Sequence, residues 1–282
     1  MAMTCYFNGE YLPKDQIRIS PDDRGFLFGD GIYEVVASYR GKLFRMPDHV
    51  ARMKRGLTEA RIRFDNVEGF EEVCRKLIET NALGAKDATV YIQVTRGVAP
   101  RKHRFPPPET TPTVYAFAAE FRRNEEQQEQ GIKVILVPDI RWTRCDIKCT
   151  ALLPNVLENQ RAVDEGAAEA LFVRDGAVME GTHAGFAAVK DGELVTAPES
   201  NYILGSITRE VTLELCAQLS IPVREFPVIE EHLKTVDELM IVGTTTEITP
   251  VVHVNDWHVR DGAPGPVTRK LQRAFRELVD AL

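Results

Sequence analysis

The fold is decided in the stretch Asp23-Arg-Gly-Phe-Leu-Phe-Gly-Asp-Gly-Ile-Tyr-Glu-Val35 and in the residues that follow it. Its second half opens a run of β-branched and aromatic residues, Ile32 to Tyr39, which predicts a strand. A hairpin is expected at Arg40-Gly41. Pro47-Asp48 then begins a helix, because proline suits the first helical turn and aspartate suits the positive end of the helix dipole. The stretch therefore predicts a domain that mixes strands and helices.

Outward from this stretch, the same alternation continues along the chain. The runs Thr89 to Thr95 and Thr113 to Ala119 predict two buried strands. Between them, Gly97 to Pro108 predicts a long, stiff, basic loop, because four of its twelve residues are proline and cannot pair regularly. The second half adds the strands KVILVP, EALFVR, AAVK and ELVT and helical patterns over Leu152 to Glu165, Ser206 to Gln218 and Pro266 to Leu282.

A polar stretch, Arg122 to Gly131, has almost no apolar content and predicts an irregular linker. This places a small N-terminal α/β domain at 1–121, the linker at 122–131 and a larger C-terminal α/β domain at 132–282. We therefore predict an α+β protein of two domains. A cleft between such domains is the usual place for a small-molecule site.

Composition excludes several classes of protein. The chain has 282 residues, of which 44% are hydrophobic and 27% charged, as in ordinary globular proteins. A net charge of −7 argues against nucleic acid as a partner. The five cysteines are scattered, which indicates reduced thiols of a cytoplasmic protein rather than disulfides or a metal site. No apolar run is long enough for a membrane span.

Lys148 and Glu180 are candidates for chemistry. A lysine that loses its charge by desolvation becomes a nucleophilic amine, although a lone lysine is more often a surface residue. Glu180 ends an apolar strand and is followed by glycine. A carboxylate there suits a pyridinium nitrogen, and the alternative is an ordinary acid in a turn.

Two hydroxyl-rich clusters suit a phosphate group. In the first, Gly205-Ser206-Ile207-Thr208-Arg209, backbone N–H groups and hydroxyls converge where a helix begins. The second, Gly243 to Thr249, follows the strand Leu239 to Val242. Arg52, on the helix after Pro47, offers a counter-charge. Taken singly, each cluster is equally compatible with a helix cap or a threonine-rich strand.

A basic pair in the proline-rich loop suits a carboxylate ligand. Arg101 and His103 are two positions apart, so that a guanidinium fork and an imidazole face one anion. A solvated basic loop is the alternative. Tyr33 and Tyr91 lie on apolar strands, and each taken singly is more typical of a core than of a catalytic site.

In combination these patterns resemble the D-amino acid aminotransferases, pyridoxal-phosphate enzymes of fold type IV. The resemblance covers nearly the whole chain. Five stretches carry it, in the family's order: Asp23 to Val35, Tyr91 to Gly97 with Pro100-Arg-Lys-His103, Arg144-Cys-Asp-Ile-Lys148, Gly205 to Arg209, and Thr245-Thr-Glu-Ile-Thr-Pro250.

The resemblance implies a role for each candidate. Lys148 would be the catalytic Schiff-base lysine of a pyridoxal 5'-phosphate cofactor placed in the interdomain cleft. The positions that would bind this cofactor are Lys148, Glu180, Arg52, Leu204, Ile207, Thr208, Gly243 and Thr244. Tyr33, Arg101 and His103 match the family's trap for the substrate carboxylate. Because Arg101 and His103 would reach the site of the neighbouring subunit, a homodimer is implied as well.

The sequence departs from the family pattern in two places. After Glu180 the family usually has a serine-rich run, and this chain has Thr182-His183-Ala184-Gly185. His183 would then lie near the cofactor edge and affect substrate preference. Gly243 stands beside Thr244 where a hydroxyl residue is expected, so that phosphate contact at Gly243 would come from the backbone alone.

The resemblance predicts transamination by a ping-pong mechanism, in which D-alanine or another D-amino acid gives its amino group to 2-oxoglutarate. The Arg101 and His103 pair separates this activity from that of a branched-chain aminotransferase or an (R)-amine transaminase. An aminodeoxychorismate lyase is the alternative from another reaction class, because the same lysine can drive elimination. A phosphate-binding protein without turnover is the non-enzymatic alternative.

Overall fold

The computed structural model describes residues 3–282, which divide into two compact units. The first unit contains the residues up to Arg122, together with Ile147–Leu152 and Leu282, and the second contains Arg123–Asp146 and Leu153–Ala281. Each unit is built on its own sheet. In the part of the chain described, no helix is long and apolar enough to cross a membrane.

The first unit is an antiparallel sheet with two long helices. Its elements are β1 (Thr4–Phe7), β2 (Glu10–Pro13), a 3-10 helix (Lys14–Gln16), α1 (Arg24–Phe28), β3 (Gly31–Tyr39), β4 (Lys42–Leu43), α2 (Met46–Glu59), α3 (Phe70–Thr80), β5 (Ala88–Thr95) and β6 (Thr113–Glu120). The strand order is β2-β1-β6-β5-β3-β4. Apolar residues of α2 and α3 recur at helical spacing and pack with alternate residues of the central strands into one core.

A short turn and helix precede β3 and set its start. The Asp23 side chain caps α1 by accepting from Gly25 N at 2.8 Å. Gly29 ends the helix with a φ of 65°, a conformation that favours glycine. The chain then enters β3, which pairs with β5 from Gly31 opposite Thr95 to Ser38 opposite Ala88.

The second unit is a larger mixed sheet. Its elements are α4 (Glu125–Gln130), β7 (Ile132–Pro138), α5 (Leu153–Asp164), β8 (Glu169–Arg174), β9 (Ala177–Gly181), β10 (Gly185–Lys190), β11 (Glu193–Thr196), α6 (Ile207–Gln218), β12 (Val223–Glu225), β13 (Val228–Ile229), a 3-10 helix (Glu230–Thr235), β14 (Glu238–Gly243), β15 (Glu247–Val254), β16 (Trp257–His258) and α7 (Pro266–Asp280). The strand order is β12-β11-β10-β14-β15-β7-β8-β9-β13, and β16 pairs with β15.

The stretch expected to be an irregular linker contains a helix instead. In α4 the Asn124 side chain accepts from Gln127 N at 3.1 Å and caps the first turn. Gln128 is buried, and its amide donates to Glu247 Oε2 at 3.1 Å. The helix is therefore attached through hydrogen bonds rather than through an apolar face. Because it has no apolar face, its sequence predicted an irregular segment.

The segment that carries Lys148 groups with the first unit, whereas the expected division placed it with the C-terminal domain. Ile147 is buried in the core of the first unit. Thr150 N donates to Gly31 O at 2.9 Å, and Cys149 bridges antiparallel to Ile32. These backbone pairs attach the segment to the beginning of β3.

Candidate active site

Lys148 is fixed beside Tyr33 by backbone pairing. Tyr33 N donates to Lys148 O at 3.0 Å, so the two residues are neighbours across the junction between the segment and β3. Lys148 Nζ lies 3.3 Å from the Tyr33 hydroxyl and 4.4 Å from the centre of the Tyr33 ring. The structure thus brings together the predicted catalytic lysine and one predicted substrate-binding residue.

Tyr91 supports this arrangement from β5. Its ring stacks on that of Tyr33, with the centroids 5.6 Å apart. Its hydroxyl donates to Gln93 Oε1 at 2.6 Å. Burial, and to a lesser degree Tyr33, raises the pKa of Tyr91 to about 12, so Tyr91 is neutral at physiological pH. Tyr91 therefore orients Tyr33 without adding charge next to Lys148.

The residue after Tyr33 on β3 is the buried acid Glu34. Arg52 donates to it through Nε and Nη2, both at 2.7 Å, and His49 Nδ1 lies 2.8 Å away. Burial would raise the pKa of Glu34, but the Arg52 charge and the hydrogen bonds outweigh burial and hold this pKa well below its usual range. Arg52, predicted to bind phosphate, is thus held in place by Glu34.

His49 belongs to the same buried group. Burial lowers its pKa, the Glu34 carboxylate acts in the opposite direction, and the charges of Arg52 and Lys148 lower it further. The imidazole is therefore expected to be neutral at pH 7 and to serve as a hydrogen-bonding partner of Glu34. Since the charge of Lys148 lowers the pKa of His49, this group lies within electrostatic reach of the predicted catalytic lysine.

Arg101 and His103 meet at one aromatic ring. The Arg101 guanidinium carbon lies 5.2 Å from the centre of the Phe28 ring, and the His103 ring is centred 5.7 Å from it. Both side chains are exposed. The structure therefore places two of the three residues of the predicted carboxylate trap, Arg101 and His103, together on the first unit, as their spacing in the sequence indicated.

In the second unit, Glu180 is buried between a backbone amide and a guanidinium. Its Oε2 accepts from Leu204 N at 3.1 Å, and its Oε1 accepts from Arg141 Nη1. Asp139 holds Arg141 in turn, with both oxygens 2.9 Å from the guanidinium. Burial lowers the pKa of Arg141, but its hydrogen bonds to Asp139 and the charge of Glu180 raise this pKa above its ordinary value overall. Glu180 and Leu204, both predicted cofactor contacts, are thus in direct contact.

The beginning of α6 offers backbone donors. Ser206 caps the helix by accepting from Arg209 N at 3.3 Å. The first N–H groups of a helix have no partner within it, so those of Ile207 and Thr208 are available to an anion at the positive end of the dipole. Gly185 lies against this end, because a Cβ added to it would be 3.7 Å from Ser206 Cβ.

Gly185 also pairs with Val242 near the end of β14. This pairing brings the second hydroxyl-rich cluster, which begins at Gly243, close to the beginning of α6. Next to Val242, a Cβ on Gly243 would lie only 2.8 Å from Thr246 Oγ1. This hydroxyl is buried and has no hydrogen-bond partner. The structure therefore places a side-chain hydroxyl close to Gly243, beside the backbone groups that are expected to contact a phosphate there.

Thr182 and His183, in the run after Glu180 that departs from the family pattern, surround the buried carboxylate of Glu169. Oε1 of Glu169, whose side chain is fully buried, accepts from Thr182 N, Thr182 Oγ1 and Ala170 N. Its Oε2 lies 2.8 Å from His183 Nδ1. Burial would raise the pKa of Glu169, but His183 and Thr182 lower it overall. His183 is half exposed and is thus tied to the core through its Nδ1 side.

Several site residues were missed from the sequence: Glu34, His49, Asp139, Arg141, Glu169 and Thr246. Most act through a partner that is distant in the chain, such as Arg141 on Glu180, and no local pattern signals such a pair. The threonine run around Thr246 was the one usable signal. Among residues 3–282, no cluster of histidine, cysteine and acidic side chains has the arrangement of a metal site.

Comparisons with known proteins agree on one family. The model of the family described as amino-transferase class IV matches residues 31–254. A D-alanine aminotransferase of Staphylococcus haemolyticus is 42% identical over 98% of both chains, and one of Bacillus licheniformis is 36% identical over 98% of this chain and 97% of its own. A crystal structure of a branched-chain amino acid aminotransferase from Escherichia coli superposes with a TM-score of 0.91 at 27% identity, covering 99% of this chain and 95% of its own.

Proposed function

The chain belongs to the class IV aminotransferase family, and on this premise we propose that it transfers the amino group of D-amino acids, D-alanine among them, to 2-oxoglutarate with pyridoxal 5'-phosphate. The 42% identity to a D-alanine aminotransferase over 98% of both chains carries the proposal. The contact between Lys148 and Tyr33 and the Arg101 and His103 pair agree with it.

The donor set of the described residues fits this cofactor. Glu180 is a buried carboxylate of the kind that holds a pyridine nitrogen protonated, and Leu204 is attached to it. Ile207 and Thr208 offer free helix N–H groups, and the cradle at Gly185 and Gly243 contains the unpartnered hydroxyl of Thr246. Thr244 and Arg52 complete the set that would hold the phosphate. When bound, pyridoxal phosphate supplies an electron sink for the bonds at the substrate Cα.

The protein's own residues would do the rest of the chemistry. Lys148 Nζ would hold the cofactor covalently and, once released by the incoming amine, would move the proton at the substrate Cα. Tyr33, Arg101 and His103 would bind the α-carboxylate, and this fixes which face of Cα meets Lys148. Selectivity for the D-enantiomer follows from that orientation.

A homodimer is part of the proposal. The family resemblance assigns Arg101 and His103 to the site of the neighbouring subunit, so that one chain alone lacks a complete carboxylate trap. One face of α5 supports a subunit contact, because four apolar side chains there are more than half exposed. They are Leu153, Val156, Leu157 and Val163.

The lyase and amine alternatives would share Lys148, Glu180 and the phosphate cup, by which we mean the residues that would hold the cofactor phosphate: Arg52, Ile207, Thr208, Gly243, Thr244 and Thr246. The Arg101 and His103 pair on Phe28 favours a D-amino acid transaminase over an amine transaminase, since an amine substrate has no carboxylate to bind. Release of pyruvate without an oxo-acid acceptor would instead indicate a lyase.

The test is the visible absorption spectrum of the cofactor-loaded protein before and after D-alanine, with L-alanine as the control. We expect the band of the lysine-bound cofactor to disappear with D-alanine only and to return with 2-oxoglutarate. The Lys148→Ala variant should lack both the band and transamination, whereas Lys133→Ala, a surface lysine bound to Glu165 O, should behave as the wild type. A band that neither enantiomer changes would contradict the proposal.

A further inference from the structure

The loop at residues 96–112 carries the proposed carboxylate trap and yet lacks regular structure. Every residue from Pro100 to Phe105 is exposed. An exposed loop of this kind, if it were not anchored, would lose much conformational freedom on binding a substrate, which weakens binding. Arg101 and His103 therefore need an anchor outside the loop if they are to meet a carboxylate in a fixed geometry.

The anchor begins at Asp30, in the stretch between α1 and β3. This one carboxylate binds two buried guanidinium groups. Arg24 Nε donates to Oδ2 at 2.8 Å. Arg96 donates through Nε to Oδ2 at 2.8 Å and through Nη2 to Oδ1 at 2.9 Å. Such charge-assisted forks fix the orientation of both arginines.

Arg24 connects Asp30 to the near side of the loop. Its Nη1 donates at 2.7 Å to the carbonyl of Lys102, the residue between Arg101 and His103. Its guanidinium also lies 4.7 Å from the centre of the Phe28 ring, the same ring that Arg101 and His103 contact. Asp30 is thus connected to Arg101 and His103, the two trap residues on the loop, through one arginine and one aromatic ring.

Arg96 connects Asp30 to the far side of the loop. Its guanidinium covers the Phe105 ring at 3.8 Å, and that of Arg61 lies 5.1 Å from the same ring. Its remaining N–H groups donate to Arg61 O at 2.8 Å and to Ala60 O at 2.7 Å, at the end of α2. Phe105 is therefore held against a guanidinium that is itself fixed by four hydrogen bonds.

We propose that Asp30 is a positioning residue for substrate binding, which fixes the loop of Arg101 and His103 from both sides through Arg24 and Arg96. This inference rests on the proposed function, because it assigns the loop to the substrate carboxylate. Neutralising Asp30 removes the common partner of both arginines, so Lys102 and Phe105 lose their fixed contacts together. The substrate carboxylate then meets a loop that is no longer preorganised.

The experiment compares Asp30→Asn with the cofactor-loaded wild type in two measurements. Trypsin, which cuts after Arg101, Lys102 and Arg104, reports the order of the loop independently of activity. Steady-state kinetics with D-alanine separates KM from kcat. Asp22→Asn is the matched control, because it removes the same charge from an exposed position eight residues earlier. Phe105→Ala tests the far anchor at a half-exposed residue, where the fold is not at risk.

We expect Asp30→Asn and Phe105→Ala to be cut about tenfold faster than the wild type and Asp22→Asn, with KM raised by a similar factor and kcat changed little. Cleavage at the wild-type rate in the folded variants would overturn the anchoring role; if Asp30→Asn fails to fold, Phe105→Ala decides. A different outcome is faster cleavage of the anchor variants with an unchanged KM, together with an unchanged KM in Arg101→Ala. That outcome would overturn the assignment of the loop to the substrate carboxylate, but Asp30 would still be the anchor of the loop.

Discussion

At the scale of single residues, Thr246 places a hydroxyl beside Gly243, where the family resemblance leads one to expect a hydroxyl residue. Its Oγ1 is buried, has no partner and lies where a side chain on Gly243 would point. A buried hydroxyl without a partner is costly unless a ligand supplies the hydrogen bond. We infer that the cofactor phosphate is that ligand.

Thr246→Val is therefore expected to weaken cofactor binding about tenfold, the equivalent of one hydrogen bond to a charged group. Thr246→Ser should keep the wild-type affinity because it retains the hydroxyl, and Thr245→Val, at an exposed position, is the control for valine at a neighbouring threonine. The measurement is the dissociation constant of pyridoxal phosphate by equilibrium dialysis. Equal affinities in Thr246→Val and the wild type would remove Thr246 from the phosphate cup.

The pair of Glu169 and His183 makes stability depend on pH. The pKa of Glu169 lies below its ordinary 4.5, so its favourable contribution is present above that value and is lost as the pH falls through the lowered pKa of the folded state. His183→Ala should destabilise the protein by about 1–2 kcal/mol at neutral pH. This loss is smaller than that expected on removing the partner of a fully buried charge, because His183 is half exposed and solvent weakens its interaction with Glu169.

This deficit should shrink as the pH falls below 4.5, since the wild type then loses the contribution of Glu169 as well. The measurement is the free energy of urea unfolding from about pH 7 to about pH 4. His232→Ala, an exposed histidine of the same unit, should show no such trend. A deficit that stays constant over this range would argue against an interaction with the Glu169 carboxylate.

Residue-level prediction from the sequence succeeded where the chemistry is local. The spacing of Arg101 and His103 foretold that they would lie together, and both contact Phe28. Arg141 was missed because its partner, Glu180, is on another strand and only the folded chain shows the pair. The assigned roles of the site residues toward cofactor and substrate stay predictions that the experiments above address.

At the scale of elements, α7 shows that a helix can be capped from a neighbouring strand. It begins with Pro266 after Gly265, which provides no side-chain cap. The carboxylate of Glu238 on β14 accepts from Val267 N at 2.9 Å and from Thr268 N at 2.7 Å. A negative charge at this end of a helix is favourable for both the free N–H groups and the dipole.

Glu238→Gln should destabilise the protein by about 1–3 kcal/mol, because an amide N–H₂ group would then face backbone donors in a buried position. Glu231→Gln, an exposed glutamate of the preceding 3-10 helix, is the control and should change stability little. Urea unfolding of both cofactor-loaded variants measures the difference. Equal stability of the two variants would contradict a capping role for Glu238.

Most elements were predictable, because hydrophobic periodicity is a local property. The strand at Ile32 to Tyr39 and the helix after Pro47 are present as β3 and α2. The helix α4 was not foreseen, since its one buried side chain is the amide of Gln128. Nor was the pairing of residues 147–152 with β3, because backbone hydrogen bonds between segments distant in the sequence leave no pattern in composition.

At the scale of the whole molecule, the fold and the family were predictable and are confirmed by the match over residues 31–254. The fold by itself does not select the substrate, since a branched-chain amino acid aminotransferase superposes with a TM-score of 0.91. The D-alanine aminotransferases share 36–42% of their residues with this chain and decide the substrate class. The proposed function assigns substrate choice to a few side chains, foremost Arg101 and His103 on the loop at 96–112.

Two copies of the chain are expected to share each active site, because the family resemblance assigns Arg101 to the site of the neighbouring subunit. If Arg101 serves the neighbouring subunit, a mixed dimer of Lys148→Ala and Arg101→Ala chains has one site with both residues intact. Each variant alone should have almost no activity toward D-alanine. Random pairing makes about half of the dimers mixed, each with one working site of two, so co-expression should restore about a quarter of the wild-type activity.

The mixed dimers are isolated with two different affinity tags and compared with each single-variant dimer. Co-expression of Lys148→Ala with Lys148→Ala chains that carry the second tag controls for the tags themselves. If Arg101 instead serves the site of its own chain, no dimer contains an intact site, and mixing would restore nothing. The restored fraction therefore distinguishes a trap shared between subunits from one contained within a single chain, and so tests the homodimer part of the proposed function.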